Sequence, residues 1–239
     1  HWSERHFVGD DEFKAYTSLN KLVFVSEYAK KQFAKVFDLP DKVKQYVCAN
    51  VINVDEIMAK SLEPINDIIK TKFTICSVGR LEEVKGYDMV INAAKVLKER
   101  NVDVDFWILG TGSQEKQLKE QLRQSQCEDM VHFLGYKDNP YPYMKSADVY
   151  LSSSYAEGLP LVLCEAQCLG KPIIATKTIG ALQLLKNGTN SRLIDISAIA
   201  IADAVEEWMT NNNCVSTDDI TFREYHTNEI MELVYRDIL

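Results

Sequence analysis

Apolar residues gather in short unbroken runs, and between the runs polarity repeats with helical spacing. Lys21 to Ser26 is the first apolar run and reads as a buried strand. Ser26 is placed to cap a helix from about Glu27 to Phe37. Leu39-Pro40-Asp41 is a turn, and Tyr46 to Ile52 is a second apolar strand. Residues 1–20 are polar and show no clear period. From Asp55 to Lys72 the chain turns polar and charged, with Pro64 inside, which reads as a linker or domain boundary.

From Phe73 the alternation becomes regular. Phe73–Val78 is a continuous apolar strand, and Tyr87–Lys98 puts Val90, Ala93, Ala94 and Leu97 on one helical face. Val104–Leu109 is a strand, followed by a charged helix over Gln114–Gln124. Val131–Leu134 is a strand, Tyr143–Ala147 a short helix, and Val149–Leu151 a strand. A helix follows the Glu157-Gly158-Leu159-Pro160 turn, then strands at Pro172–Ala175 and Arg192–Ile194. Helices near Ala198–Met209 and Phe222–Tyr235 close the pattern. Continuous apolar strands alternating with helices predict an α/β fold, a doubly wound parallel sheet covered on both faces. The predicted divisions are a strand–helix–strand over 1–54, a linker over 55–72, the α/β domain over 73–215 and a C-terminal helix over 216–239.

In such a sheet, ligands lie beyond the carboxyl ends of the strands. Strand 73–78 delivers Gly79-Arg80-Leu81 there, then Lys85-Gly86; strand 104–109 delivers Gly110-Thr111-Gly112; strand 131–134 delivers Gly135-Tyr136-Lys137. Strand 149–151 leads through Ser152, Ser153 and Ser154 to the Glu157 turn. Gly158 is expected to take up unusual backbone angles, Pro160 to occupy the first helical position, and Gly170 to end the helix. Backbone amides from Gly158 to Val162, including Leu159 and Leu161, then point out of a helix N-terminus, which is an anion site. Glu157 and Glu165 bracket it, and carboxylates accept hydrogen bonds from hydroxyls, as on a sugar or a ribose. Arg80, Lys85, Glu157 and Glu165 are expected to converge, which fits a diphosphate flanked by hydroxyl-rich groups. Gly110-x-Gly112 is weak as a dinucleotide motif, because Glu115 stands where a third glycine belongs. Taken alone, any one of these elements is equally a structural joint.

Composition narrows the field. In 239 residues, 46% are hydrophobic and 26% charged, enough for a real core. A net charge of −8 argues against nucleic acid as a partner. No apolar run approaches the ~20 residues of a membrane span, and His1-Trp2-Ser3-Glu4-Arg5-His6 carries no signal-peptide pattern. Six cysteines, Cys48, Cys76, Cys127, Cys164, Cys168 and Cys214, match no zinc spacing and read as free thiols in a reducing cytoplasm. Asn187-Gly188-Thr189 fits a glycosylation acceptor by chance.

Three segments together resemble a known family. Val78-Gly79-Arg80-Leu81 with Lys85-Gly86 resembles the phosphate-binding segment of retaining glycosyltransferases of the GT-B fold, family 4. Glu157, then Glu165-Ala166 and Gly170-x-Pro172, resembles that family's paired-glutamate motif, and Phe133-Leu134-Gly135-Tyr136 its base-contacting loop. The resemblance runs from about Lys21 onward. It implies a Rossmann-like domain, the C-terminal half of a GT-B architecture, that transfers a sugar with retention from a nucleoside diphosphate sugar and needs no metal or other cofactor. A UDP-sugar is the favoured donor on prior grounds alone. Arg80, Lys85 and Glu157 take the catalytic roles, with the cations stabilising the departing diphosphate and Glu157 binding the donor sugar. Glu165 holds the ribose, and Gly79, Gly110, Gly112, Tyr136, Gly158, Leu159, Pro160 and Leu161 line the donor site. The acceptor is a sugar or a lipid-linked sugar, and the expected location is the cytoplasm, including the inner face of a membrane.

The same resemblance marks departures. Residues 1–54 correspond only to the tail of an acceptor domain, so the chain is expected to be a fragment or a truncated product. Self-association through those residues follows as an expectation. Gly180-Ala181 replaces a Gly-Gly pair, Gln183 a glutamate, and Ser191 a glycine. The alternative is therefore a non-catalytic nucleotide or nucleotide-sugar binding module, or a subunit of a split transferase. An epimerase or phosphorylase on the same architecture fits less well.

Overall fold

The computed structural model describes residues 10–48, 52–185 and 190–211. The helix expected over Phe222–Tyr235, Cys214 and the Asn187-Gly188-Thr189 sequence lie outside the described residues. The described residues divide into two compact units, one up to Asn53 and one from Val54.

In the first unit, α1 (Asp10–Thr17) precedes β1 (Lys21–Phe24), α2 (Glu27–Ala34) and β2 (Lys44–Val47). β1 and β2 pair in parallel, with Phe24 opposite Val47. Ser26 caps α2 as expected, its hydroxyl accepting the Ala29 N–H at 3.1 Å. α1 went unread because its sequence is polar on most sides, yet Tyr16 turns it onto the unit's aromatic cluster. The Tyr16 ring meets Phe33 and Phe37 edge-on at 5.0 and 4.8 Å, an arrangement aromatic quadrupoles favour.

The second unit holds a six-stranded sheet in the order β5-β4-β3-β6-β7-β8, every pair parallel. Its strands are β3 (Phe73–Val78), β4 (Val104–Leu109), β5 (Val131–Gly135), β6 (Val149–Ser152), β7 (Ile173–Thr176) and β8 (Ser191–Ile194). Alternate residues serve opposite faces. Phe106 and Ile108 join the core under α4 (Tyr87–Glu99), α5 (Glu115–Ser125) and α9 (Ala198–Asn211). Trp107 and Leu109 join the core under α6 (Tyr141–Ser146), α7 (Leu161–Cys168) and α8 (Ile179–Leu184). Both faces are therefore buried, which is why these strands read as unbroken apolar runs.

Two elements of the second unit were not expected from the sequence. The segment from Asp55 begins with a helix, α3 (Val54–Lys60), which packs against α6 and α7 through buried Ile57. Beyond it the chain is tied down: Lys70 pairs with Asp148 at 2.6 Å, and Asp148 also accepts the Thr74 N–H at 2.8 Å. The second is α8, whose glycine hid it; Thr178 caps it by accepting the Ala181 N–H at 3.2 Å. The five described cysteines form no disulfide. Among the described residues no helix is long and apolar enough to cross a membrane.

α7 ends as the glycine predicted. Gly170 has φ +65°, its N–H donates to Gln167 O at 2.9 Å, and the Lys171 N–H donates to Ala166 O at 3.0 Å. That double bond closes the helix end. Gly86 shares the same φ of +65° where a single 3-10 turn, Glu83–Lys85, passes into α4. The surroundings differ: a Cβ on Gly86 would lie 2.2 Å from the Ser153 carbonyl oxygen, whereas one on Gly170 meets nothing within 4 Å. Gly170→Ala should therefore cost about 1–2 kcal/mol, the left-handed backbone alone. Gly86→Ala should cost about 1–3 kcal/mol more, because packed backbone has to move. Urea unfolding of the two variants checks this; equal losses would contradict the clash.

Candidate functional site

β3 and β6 lie side by side, and from this pair the strand order runs outward in opposite directions. Their following helices go to opposite faces, so their carboxyl ends part and leave a crevice. β3 continues into Gly79 and Arg80; β6 continues into Ser153 and Ser154.

The loops beyond β3 and β4 touch backbone to backbone. The Gly79 N–H donates to Leu109 O at 2.9 Å, and the Gly110 N–H donates to Gly135 O at 2.8 Å. Gly110 has φ +139°, and a Cβ there would sit 1.9 Å from the Gly79 carbonyl oxygen. With side chains excluded from this junction, a cavity of about 220 Å³ opens beside it, lined by Gly79, Arg80, Gly110, Thr111, Tyr136 and Lys137 among others. Arg80 is exposed, and its guanidinium makes no hydrogen bond or ion pair with the described residues, which leaves it for a ligand. Tyr136 is 69% exposed. Gly112 does not line the cavity; it packs on Leu81, whose carbonyl oxygen lies 2.4 Å from where its Cβ would be.

Across the crevice, the Lys85 ammonium meets Glu157 Oε1 at 2.5 Å, and the Ser154 hydroxyl donates to the same oxygen at 2.8 Å. Both charged side chains are largely buried, 21% and 16% exposed. Burial strengthens their attraction and makes either one costly without the other. The Ser153 hydroxyl donates to the Lys85 carbonyl at 2.8 Å, fixing the backbone that carries the lysine. Its stem crosses Gly79, where a Cβ would touch Lys85 Cε at 3.4 Å.

α7 starts one residue later than expected. Pro160 is its N-cap, with φ −76° and ψ 99°, and supplies no side-chain acceptor. The amides of Leu161 and Val162 find no acceptor among the described residues. An uncapped helix N-terminus carries partial positive charge. Gly158 is not among the described glycines with positive φ, so the expectation of unusual backbone there fails. The turn is shaped by close approach instead. The Gly180 N–H donates to Glu157 O at 3.0 Å, and a Cβ on Gly180 would meet Pro160 Cδ at 2.5 Å and Gly158 O at 2.8 Å. Leu159 is half-buried and Leu161 37% exposed on this turn.

The structure thus joins Lys85 to Glu157 and sets Arg80 on the neighbouring cavity, but gives Glu165 a different partner. Glu165 lies farther along α7, half-buried, with the Tyr141 hydroxyl donating to Oε1 at 3.4 Å. Burial raises its pKa above the usual carboxylate value, and the Tyr141 bond partly offsets this. Burial, then Glu165 itself, pushes the Tyr141 phenol up to about 12. Ser154, Lys137 and Gly180 stand at positions the sequence marks, after strand ends and in a would-be Gly-Gly pair, but none was assigned a role at the site. Tyr141 reaches it from α6 and leaves no local pattern.

The sequence profile of the glycosyl transferases group 1 family matches residues 59–222, and the chain belongs to that family. Among its relatives is an uncharacterized glycosyltransferase of Haemophilus influenzae, 30% identical over 186 residues that make up 77% of this chain and 50% of that protein. Another, from Methanocaldococcus jannaschii, is 28% identical over 168 residues, 69% of this chain and 41% of the relative. The chain spans about half the length, or less, of these relatives. The fold is shared with Anabaena HepE, solved in complex with UDP-glucose, at a TM-score of 0.78 and 18% identity, covering 97% of this chain and 68% of that one. The Rossmann-like architecture is that of GT-B glycosyltransferases.

The Glu165 environment yields a titration prediction. Its folded pKa is raised, so the folded state holds the proton more tightly than the unfolded chain; that contribution favours folding at low pH and is lost as pH rises through the folded midpoint. Tyr141→Phe removes the one contribution that lowers the pKa, so the midpoint should move further up. Carbon-13 NMR titration of the glutamate carboxyls checks both; a Glu165 midpoint in the ordinary range, unmoved in the variant, would contradict them.

Proposed function

We propose that the crevice between β3 and β6 binds a nucleoside diphosphate sugar and that the chain carries the donor side of a sugar transferase acting with retention and without a resident metal. One observation carries this reading: Lys85, held by Glu157 and Ser154, stands at the same crevice as the uncapped start of α7, beside a largely apolar cavity. The base and ribose occupy the cavity, and the diphosphate crosses from Arg80 toward Lys85. When the bond from the sugar's anomeric carbon to the diphosphate breaks, negative charge grows on the departing oxygen. Fixed donors aimed at that charge lower the barrier because they need no reorganisation. Lys85, Arg80 and the amides near Leu161 are such donors. Glu157 accepts from the sugar's hydroxyls and Glu165 from the ribose. Retention rests on the likeness of the paired-glutamate segment. The fold shared with HepE, a UDP-glucose-bound structure, supports a UDP-sugar as donor.

A second reading, a nucleotide-sugar binding module or one subunit of a split enzyme, is favoured by Gly180-Ala181, Gln183 and Ser191 at positions where the family resemblance leads one to expect other residues. The readings part on turnover. Under the second, the chain binds the donor and produces neither transfer nor hydrolysis.

Arg80→Ala and Lys85→Ala should each weaken nucleoside diphosphate binding by about 1.5–3 kcal/mol, the scale of a hydrogen bond to a charged group. The free nucleoside should be little affected. Lys85→Ala should lose more, because it also leaves the buried Glu157 carboxylate facing the phosphates without a counter-charge. Calorimetric titration measures this; equal losses for nucleoside and nucleoside diphosphate would mean the residues act through folding.

A further inference from the structure

The wall of the cavity is held from outside the sheet. Asp67 lies in the segment between α3 and β3, before the first strand of the unit. Its Oδ2 accepts the Lys137 ammonium at 2.6 Å, and its Oδ1 accepts the Tyr143 hydroxyl at 2.6 Å. Lys137 also sits over the Tyr143 ring, its ammonium 5.6 Å from the centroid. Tyr143 in turn meets Trp107 of β4 edge-on at 6.4 Å. One carboxylate therefore clamps a residue of the β5–α6 loop to a residue of α6, and α6 is seated on the sheet. A second tie runs beside it, the Asn139 side-chain amide donating to Lys60 O at 2.9 Å.

The consequence lies in what Lys137 shows the cavity. Its side chain is 23% exposed and is among the residues lining the cavity, yet its charge is already answered by Asp67. A lysine held in this way contributes an aliphatic stem to the cavity and keeps its ammonium on the carboxylate. A flat, uncharged heterocycle fits such a wall; a mobile cation there favours phosphate instead. Asp67 is itself 41% exposed, and it holds the loop by accepting from two different groups, one on each oxygen, where a single exposed ion pair would hold it weakly.

Building on the donor-site reading above, we infer that Asp67 is a positioning residue for base selection, acting through Lys137. It makes no contact with the ligand itself. Hydrogen bonds from Lys137 and from Tyr143 hold its carboxyl below the usual carboxylate range, so the clamp is closed at neutral pH.

The test is calorimetric titration of the 239-residue chain and its variants with the uridine, guanosine, adenosine and cytidine diphosphates, uridine alone, and inorganic pyrophosphate. Asp67→Asn should weaken the preferred nucleoside diphosphate by about fivefold to tenfold. It should narrow the spread among the four by a similar factor and leave pyrophosphate as tight or tighter. Adding Lys137→Met should restore much of the discrimination, because an uncharged unbranched chain can lie along the wall without a partner. Unchanged discrimination in Asp67→Asn overturns the inference. So does equal weakening of all ligands, pyrophosphate included, which marks a purely structural tie. If the wild-type chain binds none of the four, the donor-site reading fails and takes this inference with it. If wild type binds and the variant matches it, this inference alone fails.

Discussion

The arrangement depends on one topological constraint. Strands are added outward from β3 in one direction through β4 and β5, and from β6 in the other through β7 and β8. A single layer of parallel strands can leave an open crevice only where the connections diverge to opposite faces. At the β3–β6 pair it exposes the ends of two strands and draws Lys85 from one side to Glu157 from the other. The helix after β6 begins there without a cap. Cation, anion and helix N-terminus share one crevice because the helices after β3 and β6 leave to opposite faces of the sheet.

Packing makes the constraint exact enough to use. Backbone runs against backbone at Gly79 and Gly110, and a methyl group on Gly110 would have no room, 1.9 Å from the Gly79 carbonyl oxygen. Serines, not long side chains, hold the charged pair: Ser153 bonds the Lys85 backbone and Ser154 the Glu157 carboxylate. Short side chains lose little freedom on being ordered, so the pair is preorganised at low entropic cost. The guanidinium of Arg80 and the ammonium of Lys137 differ in this respect: among the described residues the first has no hydrogen-bond or ion-pair partner, and the second is held by Asp67.

Much of this was legible in the sequence, and the boundary is physical. The strands of the second unit announced themselves because both faces of the sheet are buried, as Ile75 with Cys76 and Phe106 with Trp107 illustrate. Ser26 and Gly170 marked helix ends through local chemistry that needs no tertiary context. α1 and α3 were invisible, because Tyr16 and Ile57 give each little more than one anchoring residue on a polar helix. At the site, residues near strand ends could be named from position alone. Pairings could not: Glu165 with Tyr141, or Asp67 with Lys137 and Tyr143, join residues 24 to 76 positions apart without a shared pattern. Gly158 was assigned conformational freedom when the need was for space beside Gly180.

The donor-side role proposed for this chain stands or falls with nucleoside diphosphate binding in the crevice between β3 and β6. Amide chemical-shift mapping on titration with uridine diphosphate tests it most directly. Binding in the crevice should give the largest shifts at Gly79, Arg80, Lys85, Gly110, Tyr136, Leu161 and Val162, around the carboxyl ends of β3, β4, β5 and β6. Shifts concentrated instead at the opposite edge of the sheet, around Lys72, Asp105 and His132, or no shifts at saturating ligand, would contradict it.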